Sequence, residues 1–374
     1  MNPLKRLAQL GQSVYLDEIG RGMLRSGDLR RLIDEDGLHG VTSNPAIFEK
    51  AIARSHDYDE AIAALAGEGL EVVEIYETLA IEDVQDAADL FLERYRASDG
   101  RHGYVSLEVA PNLAHDTAGT IAEAHRLWAR LARPNVFIKV PGTVAGLEAV
   151  ERLTRDGVSV NVTLLFGLQR YADVAEAYLK GLEWRADQGL PLHAIASVAS
   201  FFLSRIDVAV DPELDRLAAA GGARASEAAA LRGRTAIASA KGAWQRYQEA
   251  FGGERFARLA ALGARPQWLL WASTGTKDPA YPATHYVEPL IGADTVTTLP
   301  RETLDAYRAQ GEPAPRLDDD LEAAAAQLDA LADLGIDLDA VTARLEDEGV
   351  AKFVQPFDAL LDALRTAVAK KAAG

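Results

Sequence analysis

The sequence predicts an α/β protein of the (β/α)8 TIM-barrel class with additional C-terminal helices. Eight short β-type runs recur between longer helical patterns, and nearly every run is followed by a helix, as in parallel βα units. The 374-residue length suits a closed barrel, for which roughly 250 residues is typical and larger examples are common. The competing doubly wound sheet usually carries a phosphate loop, and neither G-x-G-x-x-G nor G-x-x-x-x-G-K-S/T occurs.

The first run, Ser13-Val-Tyr-Leu-Asp17, precedes a helical pattern over 23–36. The second, His39-Gly-Val-Thr-Ser43, leads into helices near 46–53 and 58–65. A long amphipathic stretch over 72–96 then precedes the third run, at 104–110. The fourth, 135–140, is ended by Pro141-Gly142, because proline and glycine punctuate regular structure. Further runs lie at 158–165, 194–202, 268–274 and 294–299, with helices expected over 118–131, 143–155 and 168–187. Two more are expected between 235 and 262, broken at Gly252-Gly253, and the Ala-rich segment 217–232 reads as a surface insertion with helix. The Leu/Ala-rich tail has no strand signal and suggests helices over 318–334 and 337–371, broken at Gly335. The expected organisation is a catalytic barrel over 1–310 and a helical extension over 311–374 packed on it.

An apolar fraction of 48% with 25% charged residues excludes wholesale disorder. Zero cysteine removes disulfides, thiolate metal sites and cysteine nucleophiles. Against 39 Lys+Arg stand 56 Asp+Glu, a net charge of −17, which argues against nucleic acid or an anionic membrane as partner. An anionic substrate would therefore need a local cationic pocket. The N-terminus lacks the apolar core of a signal peptide, and no stretch approaches the ~18 apolar residues of a membrane helix, so a cytoplasmic protein is expected.

Lys139 is the most informative residue. Alternation in Val136-Phe-Ile-Lys-Val140 places Phe137 and Lys139 on one face, and both faces of a barrel strand are buried. A lysine is rarely buried without a partner, and the C-terminal end of a strand is where barrel active sites are built. Burial disfavours an ammonium ion, and a neutral amine can attack a carbonyl. The alternative is an edge strand whose lysine reaches solvent. Other polar residues interrupt strand ends in the same way: Asp17, Asn44, Glu108, Thr163 and Ser200. Singly, each has another reading. Asp17 could cap the next helix, and Asn44 could form a turn before Pro45. Glu108 could pair with a core arginine, Thr163 is a good strand former, and Ser200 could cap the helix after strand six. Convergence of all six at one mouth is harder to explain that way.

These residues resemble the transaldolase family, class I aldolase-type barrels that work through a lysine Schiff base. The matching pieces are Tyr15-Leu-Asp17, Gly40-Val-Thr-Ser-Asn-Pro45, Val105-Ser-Leu-Glu108, Phe137-Ile-Lys-Val-Pro-Gly-Thr143, Asn161-Val-Thr163 and Ser200-Phe-Phe-Leu-Ser-Arg205, in the family's order. The resemblance implies transfer of a dihydroxyacetone unit from sedoheptulose 7-phosphate to glyceraldehyde 3-phosphate, giving erythrose 4-phosphate and fructose 6-phosphate in the non-oxidative pentose phosphate pathway. It implies Lys139 as the nucleophile, Asp17 as the proton carrier for the C4 hydroxyl, and Glu108 with Thr163 as handlers of a water. Asn44 and Ser200, with Thr42 beside them, would bind the three-carbon fragment. Arg205 matches the phosphate-binding arginine; its other reading is a helix-surface ion pair with Asp207 or Asp211. After strand seven, where the family pattern has an arginine soon after the serine, Ser273 and Lys277 are the candidates for the rest of the phosphate seat. Sugar-phosphate substrates, no cofactor and no metal are implied, in a monomer or homodimer. The seven histidines show no ligand spacing of the kind a zinc-dependent aldolase needs. Two other readings are an aldolase that releases free dihydroxyacetone and a catalytically silent barrel acting as a scaffold. About 70 residues after the last strand are too few for a fused isomerase domain, since domains typically run to roughly 100–150 residues.

Overall fold

The computed structural model describes residues 2–372; Met1 and residues 373–374, the outer ends of the two expected segments, lie outside the described residues. Eight parallel strands close into a barrel in sequence order: β1 (Gln12–Leu16), β2 (Gly40–Val41), β3 (Tyr104–Glu108), β4 (Val136–Pro141), β5 (Val160–Leu165), β6 (Ser197–Phe202), β7 (Gln267–Ala272) and β8 (Thr295–Leu299). The predicted fold class is therefore correct, and β1 pairs with β8 to complete the ring.

The register decides which side chains share the interior. Glu108 pairs with Lys139 and Lys139 with Asn161, and Tyr15 pairs with Gly40 on one side and Thr298 on the other. Side chains paired across a ladder point to the same face, so these residues look inward together. Tyr104 and Phe137 stack with ring centroids 4.2 Å apart and floor the interior beneath them. Gly40 is required there: a Cβ would stand 2.7 Å from the Tyr15 ring and 2.5 Å from the Tyr104 carbonyl oxygen.

At the C-terminal ends of two strands non-glycine residues take left-handed backbone, Leu164 at φ 62° and Ser273 at φ 54°. Leu164 lies where the β5–β6 register shifts between Val162 and Leu165. Such conformations cost on the order of 1–3 kcal/mol each and persist where the surroundings impose them.

Several elements differ from the sequence expectation. The second strand is confined to Gly40–Val41, because Thr42 onward turns into the helix Pro45–Phe48, capped by Asn44. The helix expected over 23–36 is divided by Gly27, at φ 79°, into Arg21–Ser26 and Asp28–Arg31, and a π-helical turn, Leu32–Asp36, follows. Two helices escaped the sequence reading. Pro3–Gln9 is capped by Asn2, and Arg301–Gln310 follows Pro300. Residues 217–219 of the expected insertion belong to the preceding helix Ser204–Ala219, and Ala225–Leu231 forms the inserted helix. Helices Thr235–Phe251 and Glu254–Ala261 break at the expected glycines.

The tail is tied to the barrel. Backbone N–H groups of Arg316 and Leu317 both donate to the Ile291 carbonyl, and Trp244 Nε1 donates to Asp318 at 2.7 Å. Helix Leu321–Asp333 packs on Thr235–Phe251. The last helix, Leu338–Ala372, is 35 residues long and contains Pro356. It crosses the C-terminal end of the barrel, touching β5 and the helices after β2 and β6. Arg170 anchors it through Glu346, at 2.9 Å.

Candidate active site

Lys139 stands near the C-terminal end of β4, 4% exposed, with apolar residues of the same strand on either side of it in sequence. Its Nζ donates to the Ser43 carbonyl at 2.8 Å and lies 3.4 Å from Glu108 Oε2. The lysine is thus inside the barrel, and the solvent-edge reading fails. Glu108 pairs with this lysine and with no core arginine. Burial pushes the Glu108 carboxyl up to about 7, with Lys139 pulling down and Asp17 pushing up more weakly. Neither of its oxygens has a hydrogen-bond partner, nor does the buried Thr163 hydroxyl on β5. Buried polar atoms are rarely left unmatched, so these orphans mark a place that a polar group of substrate or water completes.

Asp17 follows β1 directly; its N–H donates to the Leu299 carbonyl, so the ladder holds its backbone. The next helix is capped at Gly20, which removes a capping role for Asp17. Thr42 Oγ1 donates to Asp17 at 2.6 Å and lies 2.6 Å from Thr298 Oγ1. One hydroxyl has one proton, so Thr298 serves as the donor to Thr42. Burial raises the Asp17 pKa, while the Thr42 bond and the charges of Lys139 and Lys277 lower it.

Asn44 does cap its helix, with Oδ1 accepting from Ile47 N–H at 3.0 Å. Its amide nitrogen has no partner among the described residues, so the turn reading and a binding role coexist. The same turn carries Ser43, whose carbonyl receives Lys139. Ser200 does not cap a helix: its hydroxyl donates inward to Asn161 Oδ1 at 2.7 Å, and Asn161 donates to Ser106 at 3.2 Å.

Arg205 sits in the first turn of Ser204–Ala219, half-buried, with Nη1 buried and unpartnered. The ion-pair alternative fails, because both acids are occupied elsewhere. Asp207 accepts from Tyr286 and from Ala236 N–H, and Asp211 from Tyr281 and Gly233 N–H. Ser273 lies beside it; its hydroxyl is 2.8 Å from that of Ser204. Lys277 is exposed on the loop after β7, joined to the mouth by its field at Asp17.

Sequence reasoning did not single out Thr298, Ser43 or Ser106 at this mouth, although β-strand alternation placed Thr298 on the inward face. It also missed Phe353, on the last helix, whose ring centroid is 5.6 Å from Lys139 Nζ. No local motif marks that residue. Trp268 and Trp271 are core, as expected, with Trp271 Nε1 donating to the Leu290 carbonyl. Among the described residues no three His, Asp or Glu side chains are grouped to hold a metal ion, and no helix is long and apolar enough to cross a membrane.

The arrangement offers a buried amine, a carboxyl poised near neutrality 3.4 Å away, a second carboxyl across the mouth, and a guanidinium farther out. That set suits covalent chemistry on a carbonyl with proton transfer on either side. The sequence model of the Transaldolase/Fructose-6-phosphate aldolase family matches residues 14–364. A "Transaldolase" of Thiobacillus denitrificans is 51% identical over 361 residues, covering 96% of this chain and 99% of that protein. A "Transaldolase 2" of Nostoc sp. is 46% identical, covering 97% of each chain, and a "Transaldolase" of Thermobifida fusca is 46% identical, covering 96% and 97%.

Proposed function

The chain belongs to the transaldolase/fructose-6-phosphate aldolase family, and we infer from this and the site that it is a transaldolase. It moves a dihydroxyacetone unit from sedoheptulose 7-phosphate to glyceraldehyde 3-phosphate, giving erythrose 4-phosphate and fructose 6-phosphate in the non-oxidative pentose phosphate pathway. The observation that carries this reading is the buried Lys139 amine 3.4 Å from Glu108.

Lys139 Nζ attacks the ketose carbonyl, and loss of water gives an iminium whose positive nitrogen is the electron sink for C–C cleavage. Glu108, near its midpoint at neutral pH, gives and takes the protons of that dehydration and of the final hydrolysis, and the unpaired Thr163 hydroxyl holds the water involved. Asp17 takes the proton of the C4 hydroxyl as C3–C4 breaks and returns it when the acceptor aldehyde adds; Thr42 orients its carboxylate. Asn44 and Ser200 bind hydroxyls of the three-carbon unit. Arg205 takes the phosphate, with Ser273 and Lys277 completing its seat, because a guanidinium suits bidentate phosphate recognition. Residues 1–310 form the catalytic barrel and 311–374 its helical extension. The enzyme works in the cytoplasm as a monomer or homodimer.

Borohydride reduction in the presence of fructose 6-phosphate, followed by peptide mass mapping, tests the central step. A three-carbon adduct on Lys139 is expected, since an imine is reducible and a metal enolate is not. An adduct on another lysine, or none, would overturn the assignment. Release of free dihydroxyacetone as fast as its transfer would instead identify an aldolase.

A further inference from the structure

Gly349, Phe353 and Phe357 follow at four-residue spacing on the last helix and so share one side of it. Gly349 lies against the mouth so closely that a Cβ would stand 3.1 Å from Leu164, 3.4 Å from Phe166 and 3.7 Å from Arg205 Nη1. Phe357, two turns on, meets Tyr76 edge-on with ring centroids 5.4 Å apart. Between them Phe353 is 5% exposed, and its ring centroid is 5.6 Å from Lys139 Nζ. A phenyl ring neither donates nor accepts a proton. Beside a nucleophilic nitrogen it can do two things: displace water, and present a face that tolerates positive charge.

We propose that Phe353 is a specificity-determining residue that sets the fate of the enamine, favouring capture by the acceptor aldehyde over protonation and release. This inference rests on the function proposed above. When C3–C4 breaks, the electron pair stays on C3, conjugated with the Lys139 nitrogen. In transfer, that pair forms the new bond to the aldehyde carbon, and the aldehyde oxygen takes the proton held by Asp17. In the losing route, C3 takes a proton delivered through water. Water then adds to the iminium carbon, the C–N bond breaks, and dihydroxyacetone leaves with the amine restored. Hydrolysis at the carbon next to Nζ also ends productive transfer, so the two routes part at the first step, which needs water to bring a proton to C3, one bond farther on, beside the ring of Phe353. The iminium itself keeps its favourable neighbour in the ring face.

The test measures free dihydroxyacetone released per unit transferred, with fructose 6-phosphate as donor and erythrose 4-phosphate as acceptor. Phe353→Ala is expected to raise that ratio about ten-fold, a barrier change of about 1.4 kcal/mol, and Phe353→Leu to raise it less. Phe357→Leu, which disturbs the same helix face one turn on, against Tyr76, is expected to leave it unchanged. An unchanged ratio in both Phe353 variants, or an equal rise in Phe357→Leu, would overturn the proposal and leave the ring a packing residue. Borohydride trapping in each variant separates the two levels: loss of the Lys139 adduct in the parent sinks the transaldolase reading, whereas a normal adduct with an unchanged ratio sinks only the role of Phe353.

Discussion

Glu108 is held between opposite influences, and its behaviour with pH follows from them. Enclosure in the barrel disfavours its charge, and Lys139 at 3.4 Å favours it; the balance lies near 7. Glu108→Gln is expected to slow turnover by roughly 10²–10⁴-fold and to remove the limb near pH 7 from the kcat/KM profile; survival of that limb would assign it to another group. The same pKa makes a stability statement. A carboxyl raised in the folded state binds more protons there than in the unfolded chain between about 4.5 and 7, so its contribution falls as pH rises through that window. Measured as a difference from the parent, the Gln variant should gain relative stability over that range.

The site depends on how closely the strands and the last helix approach. β2 contributes only Gly40–Val41 to the ladder, yet it must place Thr42, Ser43 and Asn44 around the lysine. Gly40 permits this because the Tyr15 ring occupies the space a side chain would fill. Gly40→Ala should destabilise by about 1–3 kcal/mol or more through overpacking and should lower the yield of trapped Lys139, since the turn that receives Nζ is displaced. Equal denaturation midpoints would show that β2 adapts freely. The last helix is the opposite case. It survives an internal proline because its Leu345, Phe353, Leu360 and Leu364 are buried against the rest of the molecule, and packing rather than propensity holds most helices in place.

Across the whole molecule the net charge is −17, and cations are gathered at the mouth against it. Lys139, Arg205 with its unpaired Nη1 and the exposed Lys277 face the mouth, with the charge of Glu348 also reaching Arg205, while pairs such as Arg133–Asp89 and Arg255–Glu183 neutralise only part of the surface acid. The other end of the barrel stores a pH dependence of its own. His39 and His102 lie with ring centroids 4.1 Å apart, His102 accepting from or donating to Ser13 at 2.9 Å. Burial lowers both, His102 to about 4, with Arg94 and Arg101 nearby adding to the effect. A base lowered in the folded state takes up protons first when unfolded, so its contribution is present above about 6.5 and lost as pH falls towards 4. His102→Gln should flatten that loss, by on the order of 2–3 kcal/mol at pH 4 relative to neutrality, in denaturant titrations compared with the parent. A parallel pH dependence in both proteins would place the acid sensitivity elsewhere.

The barrel class, eight strand positions and the residues Lys139, Asp17, Asn44, Glu108, Thr163 and Ser200 were legible in the sequence. The reason is physical: a buried strand must be apolar, so every polar interruption near its end is conspicuous, and alternation assigns its face. Arg205 was legible by resemblance, but only the occupied state of Asp207 and Asp211 removed its surface ion-pair reading. The helices Pro3–Gln9 and Arg301–Gln310 were not seen, since short charged segments carry little periodicity. Tertiary structure alone decided which partners the polar residues took, Ser43 and Glu108 for Lys139 and Asn161 for Ser200. It alone laid Phe353 over the lysine from more than two hundred residues away, because contacts across a closed barrel depend on ring closure and helix crossing, which no local pattern encodes.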